Sequence, residues 1–160
     1  MTTRTTHDTF TIERTFNAPP ARVFQALADA EQKAKWFAGP PGWKLVERHF
    51  DFRVGGLERV SGTHASGMSS IFDARYHDIV PDKRVVYSYE MTVNGARISV
   101  SLATFELVAA GENKTKLVLT EQGVYFEDES TMKYMTEGAA ASRLKGTQGL
   151  MDQFQALFAS

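Results

Sequence analysis

Apolar and polar residues alternate along much of this chain, and where the alternation stops a spacing of three and four replaces it. FTIERTF puts Phe10, Ile12, Arg14 and Phe16 on one face, the two-residue period of a strand. NAPP closes that strand. Pro19 and Pro20 stand where a helix would begin, Asn17 is the candidate cap, and Val23, Phe24, Leu27 and Ala28 then recur at helical spacing. AEQKAKWF predicts a second short helix with Trp36 and Phe37 at its end, before AGPPGW breaks the pattern with two prolines and two glycines. From there to Gly123 six strands are predicted: KLVERHFDF, RVGGLERVSG, MSSIFDARYHDI, KRVVYSYEM, RISVSLATFEL and TKLVLTEQ, separated by GG, HASG, VPDK, VNGA and AAGENK. From about Ala139 the residues Thr147, Leu150, Met151, Phe154, Leu157 and Phe158 form the apolar stripe of a long helix, which at roughly 30 Å would cross the sheet's whole apolar face.

Two turns set registers. Asn94-Gly95 suits a two-residue hairpin, which would place Val93 opposite Ala96, Met91 opposite Ile98, Tyr89 opposite Val100 and Tyr87 opposite Leu102. The VPDK turn pairs Tyr76 with Tyr87, Ala74 with Tyr89 and Phe72 with Met91. An aromatic face results, while Ser88, Glu90, Ser99 and Ser101 fall on the polar one. Counting on from Asn94-Gly95 sends Phe105 and Leu107 to the polar side, whereas LVLTE wants them beside Leu117 and Leu119; a bulge near Ala103 to Phe105 would reconcile the two.

Two charges break the pattern. Glu121 follows Leu117 and Leu119 on the apolar face, and Arg143 continues the helical stripe one turn before Thr147. Either the strand has ended and Glu121 is in water, or Glu121 is a polar group of a pocket. If the two residues meet, they could be an ion pair bracing helix against sheet, a polar end that binds ligand, or an acid–base pair.

Composition narrows the field. In 160 residues, 18 basic side chains face 19 acidic ones, so nothing supplies the basic footprint that nucleic acid or an anionic membrane needs. There is no cysteine, which excludes disulfides and thiolate chemistry and fits a reducing, cytoplasmic setting. No run approaches the roughly 18 apolar residues of a membrane span. His7, His49, His64 and His77 lack metal-ligand spacing, so neither a metal nor a cofactor is expected.

The fragments NAPPARVFQALADAEQKAKWF, FDFRVGG, YHDIVPDKRVVYSYEM, ISVSLATFEL, TKLVLTEQG and GTQGLMDQF, in that order, resemble the START-like (SRPBCC) superfamily, in the branch of heat-shock-chaperone ATPase activator homologues. The resemblance implies an α+β helix-grip fold: a curved seven-stranded antiparallel sheet around a long C-terminal helix, with two short helices between strands 1 and 2. The length and the polar start of the chain predict one domain over 9–160 after a flexible tail over 1–8, and the resemblance implies a cavity between sheet and helix. Relatives often carry Arg-Glu-His-Gly-Thr at the last helix; here Leu144 and Lys145 replace the acid and the histidine, so that pair's acid–base role has no counterpart. The segment 127–141 is longer than usual and would reshape the cavity mouth. The expected ligand contacts are Trp36, Phe72, Tyr76, Tyr87, Tyr89, Met91, Glu121, Tyr125, Arg143 and Leu150. The leading expectation is binding of a small apolar or aromatic molecule; the alternatives are an aromatase- or cyclase-like enzyme and a co-chaperone-like interaction module. Exposed sheet edges further suggest a homodimer.

Overall fold

The computed structural model describes residues 4–133 and 137–159. Its strands are β1 (Arg4–Phe16), β2 (Trp43–Phe50), β3 (Leu57–His64), β4 (Ser69–Val80), β5 (Arg84–Val93), β6 (Ala96–Ala109) and β7 (Thr115–Glu127). Helices α1 (Pro20–Ala28) and α2 (Ala30–Trp36) precede β2, the single turn α3 (Glu129–Met132) follows β7, and α4 (Ala139–Ala156) comes last. The sheet order is β1-β7-β6-β5-β4-β3-β2: a meander from β2 to β7, with β1 returning to pair β7. This is the α+β helix-grip arrangement, with β1 and β2 as its edges. No helix among the described residues is long and apolar enough to cross a membrane.

The first strand begins earlier than the alternation suggests. Arg4 to Asp8, expected to be a flexible tail, pair with Glu127 back to Gly123, and Arg4 is ion-paired to Glu127 at 2.6 Å. RTTHDT carries no apolar face, but β-branched threonines suit an extended edge, and β7 supplies the hydrogen bonds. The helix caps also differ. Pro19, not Asn17, is the N-cap of α1 and makes no side-chain cap bond, whereas Asp29 caps α2 by accepting from the Gln32 amide at 3.0 Å.

Asn94 and Gly95 take positive φ angles of 50° and 81°, and Val93 faces Ala96 as the hairpin requires. The register then slips at once. Thr92 pairs with Arg97 but Met91 pairs with Ser99, Tyr89 with Ser101 and Tyr87 with Ala103, so the bulge lies at Ile98 beside the turn and not near Ala103 to Phe105. Ser99 and Ser101, expected on the polar face, are therefore buried inside, while Val100 and Leu102 turn outward. The same slip brings Phe105 and Leu107 into the core with Leu117 and Leu119. On the other side of β5, Tyr76 pairs with Tyr87, Ala74 with Tyr89 and Phe72 with Met91, as the VPDK turn predicts.

The helix closes one end of the sheet by aromatic packing. Phe154 of α4 stacks on Trp36 of α2 at 4.2 Å between ring centroids and meets Phe16 of β1 at 4.8 Å. Thr147, Met151 and Phe154 are the buried stripe of α4, followed by Phe158 just beyond its end; Leu157, expected on that stripe, is the C-cap and is exposed, because the chain tightens there to bonds between residues three apart and the facing shifts.

Candidate functional site

The register lays the concave face out in rows. One row across the strands runs Arg48, Val60, Phe72, Met91, Ser99; the next runs Phe50, Glu58, Ala74, Tyr89, Ser101; a third runs Tyr76, Tyr87, Ala103, Glu121. Because side chains two apart share a face, all three rows point toward α4. Sheet and helix do not fill the space between them. A cavity of about 880 Å³ remains, within the range of roughly 300–1,000 Å³ usual for small-molecule sites. Trp36, Phe72, Tyr76, Tyr87, Tyr89, Met91, Glu121, Arg143 and Leu150 line it. Tyr125 does not: it is buried beside the Arg143 guanidinium, 5.4 Å from ring centroid to Cζ, and its hydroxyl has no hydrogen-bond partner. Of the segment expected to reshape the mouth, residues 134–136 lie outside the described residues, while Glu137 reaches the rim.

Glu121 is not at a strand end. β7 continues through it to Glu127, paired with β1 along its full length and with β6 as far as Tyr125, and the side chain is only 3% exposed. Its Oε1 accepts from the Tyr89 hydroxyl at 2.8 Å, and its Oε2 lies 3.8 Å from Arg143 Nη1, an ion pair beyond hydrogen-bonding distance. Arg143 donates from Nη1 to the Tyr89 hydroxyl at 2.9 Å and to Ser101 Oγ at 3.3 Å, and from Nη2 to Ser99 Oγ at 2.6 Å. The bulge at Ile98 is what supplies those two serines. Gly123 fits the same assembly, since a Cβ there would sit 3.0 Å from Ser101 Oγ and 3.1 Å from the Tyr125 ring.

Electrostatically the group is under tension. Burial pushes the Glu121 carboxyl above its ordinary range, against the opposing pull of Arg143 and the Tyr89 hydrogen bond. Burial likewise raises the Tyr89 hydroxyl, with Arg143 opposing, so Tyr89 stays a proton-bearing donor at neutral pH. The Tyr125 hydroxyl is pushed up to about 12 by burial, again against Arg143. Glu121 Oε2 is buried without a hydrogen-bond partner, so this end can still accept a proton or a donor.

A second buried polar group escaped the sequence. Lys33 of α2 donates to Glu58 Oε1 at 2.5 Å and to the Tyr76 hydroxyl at 3.0 Å, and Tyr76 donates to the same carboxylate oxygen at 2.6 Å. Phe37 and Phe50 flank the ammonium at 4.8 and 5.0 Å from their ring centroids. Desolvation lowers the Lys33 pKa, with Glu58 opposing. The signals were present: Lys33 stands three residues before Trp36 on one helix face, and Glu58 alternates inward with Val60. Counting lysine and glutamate as surface residues hid them.

The family model for Activator of Hsp90 ATPase homolog 1-like protein matches residues 17–158. The structure of an uncharacterised protein from Rhizobium leguminosarum superposes with a TM-score of 0.86 at 36% identity, covering 99% of this chain and 98% of that one. A protein from Rhizobium loti is 40% identical with a TM-score of 0.82, covering 96% and 98%. The solution structure of an AHSA1-like protein from Aeromonas hydrophila, at 19% identity and a TM-score of 0.64 over 93% of this chain and 90% of that one, shares the fold. No curated protein matches the chain significantly. With the match running over residues 17–158 and the helix-grip sheet in place, the chain belongs to the Activator of Hsp90 ATPase homolog 1-like family, of SRPBCC type.

Proposed function

We propose that this protein binds a small, largely apolar aromatic molecule between its sheet and α4. The observation that carries the reading is the cavity of about 880 Å³, whose wall is largely apolar and includes the aromatic rings of Trp36, Phe37, Phe72, Tyr76, Tyr87 and Tyr89. Phe37 and Phe72 meet edge to face at 4.9 Å, and Phe72 and Tyr89 lie tilted at 4.9 Å, a ring-lined wall on which a flat ligand can stack. Thermal-shift screening against apolar metabolites tests it. A stabilising aromatic ligand whose effect is lost when Tyr89→Trp fills the space supports the cavity; no stabilisation by any chemotype would favour an interaction module acting through its outer surface. Glu121 Oε2, ion-paired with Arg143 but without a hydrogen bond, favours a second reading, an enzyme in which that carboxyl moves a proton. Turnover abolished by Glu121→Gln, with ligand binding retained, would select it.

The exposed Leu45 and Val46 on the edge strand β2, 53% and 65% exposed, support a homodimer formed by edge pairing.

A further inference from the structure

Most of the charges that line the cavity are already answered within the protein. Lys33 is paired with Glu58, Arg143 with Glu121, and Lys145 with Glu137 at 4.0 Å. Arg48 is different. It is half-buried on β2, its Nη2 donates to the Phe37 carbonyl at 3.0 Å, and its Nε is buried with no hydrogen-bond partner. No carboxylate among the described residues lies within ion-pair distance of it. Lys44, exposed at the rim, adds charge of the same sign. The Arg48 charge also helps to lower the pKa of Lys33, so it is felt inside the cavity.

A guanidinium with a buried, unsatisfied N–H and no counter-ion is costly to keep, and a carboxylate is the group whose two oxygens match its fork. We propose that the ligand is an aromatic monocarboxylate, seated with its acid on Arg48 and its ring over Phe72 toward Tyr89. This rests on the cavity reading above and adds the ligand's charge to it. The register supplies the dimensions. Arg48, Val60 and Phe72 stand opposite one another on β2, β3 and β4, so two strand spacings, roughly 10 Å, separate the anchor from the ring-binding wall. That span fits a carboxylate joined to a bicyclic aromatic body. The far end, where Glu121 balances Arg143, carries no unmatched charge and suits the uncharged end of the molecule.

The test compares 2-naphthoate, its neutral isostere 2-naphthamide and naphthalene, by titration calorimetry on the native chain, Arg48→Met and Arg48→Lys. The native protein should bind naphthoate about tenfold or more tightly than naphthamide, the scale of hydrogen bonds to a charged group. That preference should vanish in Arg48→Met, return in part in Arg48→Lys, and shrink with added salt. Unchanged naphthalene binding by Arg48→Met shows that the variant is folded and the cavity intact. Equal or tighter binding of naphthamide by the native chain, or a naphthoate preference that survives Arg48→Met, overturns the proposal while leaving the cavity reading standing. Failure of all three probes to bind the native chain overturns both.

Discussion

Removing Arg143 should damage the fold far more when Glu121 is present than when it is not. In Arg143→Met the stem is replaced by apolar volume, but Tyr89, Ser99 and Ser101 lose a charged donor and Glu121, 3% exposed, keeps its charge with no cation beside it. Breaking one side of a buried pair costs roughly 3–5 kcal/mol. Glu121→Gln keeps an acceptor for the Tyr89 hydroxyl and leaves Arg143 its three hydroxyl partners, so about 1–2 kcal/mol is expected. In the Glu121→Gln background, loss of Arg143 strands no anion, and the cycle should show a coupling of about 1–3 kcal/mol. Urea unfolding of the four proteins gives that number. The pH dependence sharpens it. Because burial raises the Glu121 pKa, the folded state holds that proton more tightly than the unfolded chain, so the contribution is full below the ordinary carboxylate pKa and is lost as pH rises through the folded value. Without Arg143 the folded value rises further, so Arg143→Met should lose stability relative to native as pH increases, and the coupling should fade in acid. Additivity within about 0.5 kcal/mol at neutral pH, or a coupling independent of pH, would refute the reasoning.

Lys33→Met should destabilise the chain by roughly 3–5 kcal/mol because Glu58, 2% exposed, loses its cation, and Lys33→Met with Glu58→Leu should recover much of that in denaturant unfolding. Gly56→Ala should lower the melting temperature more than Gly146→Ala, since a Cβ at Gly56 would lie 2.1 Å from the Asp51 carbonyl oxygen whereas nothing stands within 4 Å at Gly146. Sedimentation at micromolar concentration should give a species of about twice 17.8 kDa, and Leu45→Lys with Val46→Lys should return it to the monomer; a native species at 17.8 kDa would contradict edge pairing.

What the sequence revealed depended on how local its cause was. The hairpin at Asn94-Gly95 was legible because two adjacent residues carry the backbone preference that makes it. The bulge at Ile98 was not, because a strand bends where the assembled sheet needs it, and moving it reversed the facing of Ser99 and Ser101. Glu121 and Arg143 could be brought together from two periodicities, each broken by a charge. The continuation of β7 past Glu121 could not, since it depends on pairing with Ser99 to Ala103 on one side and, on the other, with Arg4 to Phe10 at the opposite end of the chain. Lys33 and Glu58 were missed for a similar reason: each satisfies the other only across 25 residues, and neither alone breaks a pattern strongly enough to be noticed.

The central claim is that an aromatic ligand enters the space between sheet and α4, and methionine methyl NMR reads that space directly. Met91 and Met151 line the cavity from opposite sides, on β5 and α4, while Met132 on α3 lies outside it. Titration with naphthalene should move the Met91 and Met151 methyl resonances together along one saturable curve and leave Met132 in place. Resonances of Met91 and Met151 that stay fixed, or a response confined to Met132, would contradict the account.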